Sequence, residues 1–86
     1  MTNTNLKETK EEVVNKILEN AEHRPWKVVS AIYGKLPLVY MRNRKLTHDQ
    51  AMEMTHSIVK SLGTLSDDED INKIRSMLIT RIDIGQ

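Results

Sequence analysis

Residues 24–45 hold the side chains with the clearest chemical use. Arg24, Lys27, Lys35, Arg42, Arg44 and Lys45 fall there without one Asp or Glu, and Trp26, Tyr33 and Tyr40 are all the aromatic residues of the chain. Cations at that density neutralise phosphates, and aromatic rings stack on unpaired bases, so Arg24, Lys27, Lys35, Arg42, Arg44 and Lys45 are candidate nucleic-acid contacts. Trp, Tyr and Arg are also the side chains that most often anchor protein interfaces. On that reading Trp26, Lys27, Tyr33, Tyr40, Arg42 and Arg44 form the partner-binding surface. A third reading is structural: Trp26, Tyr33 and Tyr40 fill the core of a chain without Phe while their cationic neighbours stay in water, and seven-residue spacing puts the first two on one helix face.

Asp67, Asp68, Glu69 and Asp70 are the acidic counterpart. Carboxylates bind Ca²⁺ or Mg²⁺, but adjacent residues on a helix point in different directions, and the spaced ligands and internal glycine of a calcium loop are missing. Their ordinary use is at a helix start, where negative charge suits the helix dipole. The same run is able to dock on the basic stretch of a second copy. His48 and His56 stand eight apart, too far along one helix to share a metal ion, and His23 lies in another element. Absence of cysteine excludes disulfides, thiol catalysis and thiolate zinc sites. No glycine-rich phosphate loop or nucleophile elbow occurs. The chain is therefore expected not to be an enzyme, and to use no cofactor, metal or small-molecule substrate.

Helices must position these groups. Val13, Val14, Ile17, Leu18 and Ala21 recur at three- and four-residue steps after a run of capping residues at 2–5, with Leu6 extending the phase. This first helix is predicted to end near Glu22, ahead of Pro25. Pro25 is suited to the first position of a second helix, with Trp26, Val29, Ile32, Tyr33 and Leu36 as its apolar side. Gly34 weakens that helix and Pro37 is predicted to stop it at Lys35 or Leu36. Residues 38–43 then form one or two further helical turns, or an extended connector that packs Leu38, Val39 and Met41.

Thr47 and Gln50 make a capping-box pattern with Leu46 and Ala51 as its hydrophobic staple, and Gly63 is predicted to close this third helix in the left-handed conformation. Met52 and Met54 lie about 200° apart around it. With Val59 they widen its apolar surface to two sides, so Met52, Met54 and Val59 are the candidate self-association surface. Ser66 and Glu69 repeat the capping box, which predicts a fourth helix with the acidic run in its first turn and Ile71, Ile74, Met77 or Leu78, and Ile82 inward. A helix-turn-helix through Gly63 would present that acidic run to phosphate. One built from 38–43 and the third helix keeps cations at its start.

The expected architecture is a single all-α domain, residues 1–86, as a compact bundle of four helices with an optional short fifth segment at 38–43. Residues 1–5 and 83–86 are expected to fray, unless Ile84 docks. A chain of 86 residues buries only roughly 60% of the surface its unfolded form exposes, so the core is thin. The formal charge of +1 hides separated acidic and basic blocks, which can pair internally, between copies or with another molecule. No apolar run approaches the ~18 residues of a membrane span, and no signal-peptide pattern follows Met1. A cytoplasmic protein without membrane contact is expected. The function that fits is regulation by protein–protein contact: binding or inhibiting a larger partner, or self-association as a homodimer. The alternative is a DNA- or RNA-binding regulator.

Overall fold

Thr9 opens the first helix of the computed structural model, which describes residues 8–84. The Glu12 N–H donates to the Thr9 hydroxyl at 3.1 Å, and the Thr9 N–H donates to the Glu12 carboxylate at 2.8 Å, a complete capping box. The capping run at 2–5 and Leu6 lie outside the described residues. Helix α1 spans Lys10–Asn20 and buries Val13, Val14, Ile17 and Leu18, as their spacing predicts. Its end is made without glycine. Glu22 and His23 take φ of 57° and 56°, and the His23 N–H reaches back to the Leu18 carbonyl at 2.9 Å. Left-handed backbone costs a residue with a side chain about 1–2 kcal/mol, which the satisfied carbonyls and the packing of Ala21 and Pro25 must offset.

Helix α2 spans Pro25–Arg44 and corrects the sequence reading, because Pro37 does not stop it. Proline has no N–H for the Tyr33 carbonyl, so one rung of the hydrogen-bond ladder is absent there. The helix nevertheless continues because Ile32 and Leu36 before Pro37, and Val39, Tyr40 and Asn43 after it, are all buried. Helical stability in a folded chain comes chiefly from packing such a face, and that outweighs the missing bond. No separate segment exists at 38–43, which forms the last turns of α2. The buried face is also rotated from the predicted stripe: Val28 enters the core, Val29 and Tyr33 are half-buried, and Trp26 is exposed.

Helix α3 spans His48–Leu62 and starts with the predicted box: Gln50 N–H to the Thr47 hydroxyl at 3.2 Å, Thr47 N–H to the Gln50 side chain at 3.0 Å. Gly63 closes it with φ 71° and ψ −161°, which differs from the left-handed helical conformation and is essentially closed to any residue with a side chain. A Cβ added there would meet nothing within 4 Å. Gly63→Ala is therefore expected to destabilise the fold by about 1–3 kcal/mol through backbone strain alone, read as a lower urea midpoint. An unchanged midpoint would mean that the loop does not hold this conformation.

Helix α4 spans Ile71–Arg81 and begins later than the Ser66–Glu69 pattern predicts. Asp70 is the N-cap, its carboxylate accepting from the Asn72 N–H at 2.9 Å, and residues 66–69 form a turn closed by the Glu69 N–H on the Ser66 carbonyl at 3.1 Å. Asp67, Asp68 and Glu69 thus precede the helix. An additional turn through them would bury no apolar side chain, and nucleation gains nothing without one.

The helices form an all-α four-helix bundle of 38 × 31 × 19 Å, in which α2 packs against both α1 and α3, and α1 packs also against α4. Arg75 on α4 hydrogen-bonds Asn15 on α1. Beyond α4, Ile82 and Ile84 are buried in the core, so the tail predicted to fray is docked as far as Ile84. Two polar side chains share the interior. Thr55 donates to the Ala51 carbonyl at 2.8 Å, whereas neither amide atom of Asn43 has a partner among the described residues, at a cost of about 1–3 kcal/mol. No described helix is long and apolar enough to cross a membrane.

Candidate interaction surface

The cations of residues 24–45 lie along α2 and its C-cap, and the fold brings carboxylates to four of them. Lys27 meets Glu22 at 2.7 Å, Lys35 and Arg42 meet Glu8 at 2.9 and 2.8 Å, and Arg44 meets Asp83 at 3.6 Å. Glu8, just ahead of α1, therefore clamps the distal half of α2, and Asp83, just past α4, holds its end. Of the three uses open to the opposite charge blocks, internal pairing is realised, although by these three carboxylates and not by the 67–70 run.

The clamp makes stability depend on pH. The Lys35 hydrogen bond, aided by the Lys35 and Arg42 charges, outweighs partial burial and holds the Glu8 carboxyl below its ordinary value of 4.5. A carboxyl lowered on folding contributes stability above that value and loses it as the pH falls through the folded-state value. The thermal midpoint is expected to drop between about pH 6 and about pH 3, and Glu8→Gln should make that drop shallower. Equal slopes in the two proteins would show that the clamp is not closed in solution.

The aromatic residues are divided. Tyr40 is 1% exposed and belongs to the core, so its place in the predicted partner surface is corrected: it packs in line with Leu36 and Val39, and the Asp83 backbone hydrogen-bonds its hydroxyl. Tyr33 is half-buried between α2 and α3, its hydroxyl 2.9 Å from His56 Nδ1. These two residues border a shallow depression with Asp49, Met52 and Glu53. Trp26 is 57% exposed, with the Lys27 ammonium 5.3 Å from its ring centre. His48 and His23 are exposed and do not line the depression beside Tyr33.

Leu38 is the residue that sequence reasoning missed. It is 63% exposed, and with Trp26 it is one of two large apolar side chains left to solvent among the described residues. Between them on α2, at four-residue steps, stand Ser30 and Gly34, both exposed. Each step of four turns only 40° around a helix, so Trp26, Ser30, Gly34 and Leu38 form one continuous ridge, large at its ends and low at its centre. Asn20, Lys27 and Ala31 join Trp26 and Ser30 around a second shallow depression beside it. The predicted self-association residues are elsewhere: Met54 and Val59 are half-buried against the core, and Met52 borders the Tyr33 depression.

Among the described residues no three His, Cys, Asp or Glu side chains gather as a metal site. The chain matches no protein-family model, no curated protein and no solved structure.

Proposed function

We propose that this chain is a small non-enzymatic regulatory protein that acts by protein–protein contact through the outer face of α2. The observation that carries this reading is the exposure of Trp26 and Leu38 at the two ends of one helix ridge. Full burial of a large apolar side chain is worth about 1.5–3 kcal/mol, and a partner that covers the ridge recovers what the folded monomer leaves unused. Lys27, beside the Trp26 ring, and Arg42, one step of four beyond Leu38, supply the polar rim that such an interface needs.

The nucleic-acid alternative has less support. A phosphate bound by Lys27, Lys35, Arg42 or Arg44 would compete with Glu22, Glu8 or Asp83 for the same cations. Each exchange of a carboxylate for a phosphate reduces the gain from counterion release.

Anisotropy of labelled duplex DNA and single-stranded RNA separates the two readings. No binding is expected at about 50 mM salt, whereas a phosphate-binding surface would bind there and lose about 10³-fold or more by about 200 mM. The protein contact itself is tested with the wild-type chain and Leu38→Glu as baits at high salt, each captured protein being purified and remixed with the chain. Trp26, the single tryptophan, reports the contact directly, since its emission shifts to the blue when the ridge is covered. Salt-sensitive nucleic-acid binding without any such protein would overturn the proposal.

A further inference from the structure

We infer that the molecule covering this ridge is a second copy of the same chain, paired antiparallel about a two-fold axis at the level of Ile32. The inference rests on the protein-contact reading above and names its partner.

The ridge is self-complementary under reversal. Trp26, Ser30, Gly34 and Leu38 are placed symmetrically about position 32, so an antiparallel copy sets Trp26 against Leu38 and Ser30 against Gly34 at both ends of the contact. Low residues then face low residues at the axis, where helices must approach to about 8–10 Å, and a large residue faces a large one at each end. A parallel copy would stack Trp26 on Trp26 and Leu38 on Leu38, wedging one end wider than the other. A two-fold contact requires that each residue and its counterpart exchange roles, and this spacing meets that requirement.

Charge follows the same reversal. Glu22 and Arg42 are equally far from position 32, and their internal pairs place both on the α1 side of α2, Glu22 with Lys27 and Arg42 with Glu8. Their side chains are 64% and 51% exposed, so each has room for a second partner. Antiparallel pairing carries the Glu22 of each copy toward the Arg42 of the other, joining the existing pairs into two mixed clusters that flank the apolar ridge. The ridge from Trp26 to Leu38 is only about 18 Å long, a short contact for an interface that ordinarily buries about 800 Å² per partner, so the dimer is expected to be reversible and concentration-dependent.

Gly34 makes the test clean. A Cβ added there meets nothing within 4 Å in the monomer, the position is exposed, and replacing a helical glycine favours the helix, so Gly34→Glu should fold at least as well as the wild type. Light scattering and sedimentation over a wide concentration range should show a monomer–dimer equilibrium in the wild type. Gly34→Glu should raise the dissociation constant by more than about tenfold, with an unchanged circular dichroism spectrum. Met52→Glu, on α3, should leave the equilibrium as it is. Because the chain has no cysteine, Ser30→Cys and Gly34→Cys chains each carry one thiol. A mixture of the two should form disulfide-linked dimers faster than either alone, whereas faster linkage of Ser30→Cys with itself would overturn the antiparallel register. Dimers lost with Met52→Glu and kept with Gly34→Glu would move the contact to α3 and overturn the inference. A wild-type chain that stays monomeric throughout would also overturn it. The broader reading would then stand or fall on whether another protein shifts the Trp26 emission.

Discussion

Tyr40→Ala is expected to destabilise the protein by about 3–5 kcal/mol, the range for truncating a buried aromatic side chain. Tyr40 heads the fully buried side chains by volume, and no Phe exists to share that role. Removing it leaves a cavity where the last turns of α2 meet the docked Ile82 and Ile84. A domain of this size has a total stability of about 5–10 kcal/mol, so the variant should lose about half of it and melt well below the wild type. Urea unfolding followed by circular dichroism measures the loss, and a value below about 1 kcal/mol would show that Tyr40 is not buried in solution. Tyr40→Phe separates the ring from its hydroxyl and should cost only about 1 kcal/mol for the hydrogen bond to the Asp83 backbone. Burial, reinforced by the Asp83 charge, pushes the phenol above its ordinary value of 10.0 despite the opposing backbone hydrogen bond and Arg44. A group raised on folding keeps its contribution below the unfolded-state value and loses it as the pH rises through the folded one. Wild-type stability should accordingly fall above about pH 10 more steeply than that of Tyr40→Phe.

Pro37→Ala is expected to act in the opposite direction and stabilise the protein by about 2 kcal/mol. An interior proline costs a helix about 3 kcal/mol, chiefly through the absent N–H and the crowding of the carbonyl four residues before it. Alanine restores an N–H opposite the Tyr33 carbonyl. It gives up part of the buried pyrrolidine surface, about 1 kcal/mol, because Pro37 is itself buried. A higher urea midpoint with slightly increased helicity is the expected result. A lower midpoint would show that ring packing exceeds the cost of the interrupted ladder.

Pro37 also marks where sequence stops being informative. The apolar steps of α1 and the Thr47–Gln50 box are local signals, and the structure keeps both. Pro37 is a local signal too, but the burial of Val39 and Tyr40 beyond it depends on α1 and α3 and is invisible in a window of a dozen residues. The same limit hid Leu38: once 38–43 is set apart, its helical phase is lost, although carrying the 100° step through Pro37 puts it on the ridge with Ser30 and Gly34. At α4 the Ser66–Glu69 pattern is a local signal that the fold does not use, and the helix starts instead at Asp70, where the supply of buried side chains begins. The basic stretch was legible as a surface, yet three of its four ion pairs join residues 27 to 39 positions apart and follow from helix order alone.

Helix order also governs how the fold is reached. Helices α1, α2 and α3 pack on their neighbours in the chain across links of a few residues, so most of the contacts close short loops and the three can assemble on the microsecond-to-millisecond scale of low-contact-order domains. Helix α4 must return across residues 63–70 to reach α1, and the final buried residues, Ile82 and Ile84, follow it. Helix α4 is therefore expected to be the last element to dock and the first to open. The ridge on α2, built wholly within the early-forming part, therefore takes its shape before the bundle is complete and keeps it through openings that release α4 alone.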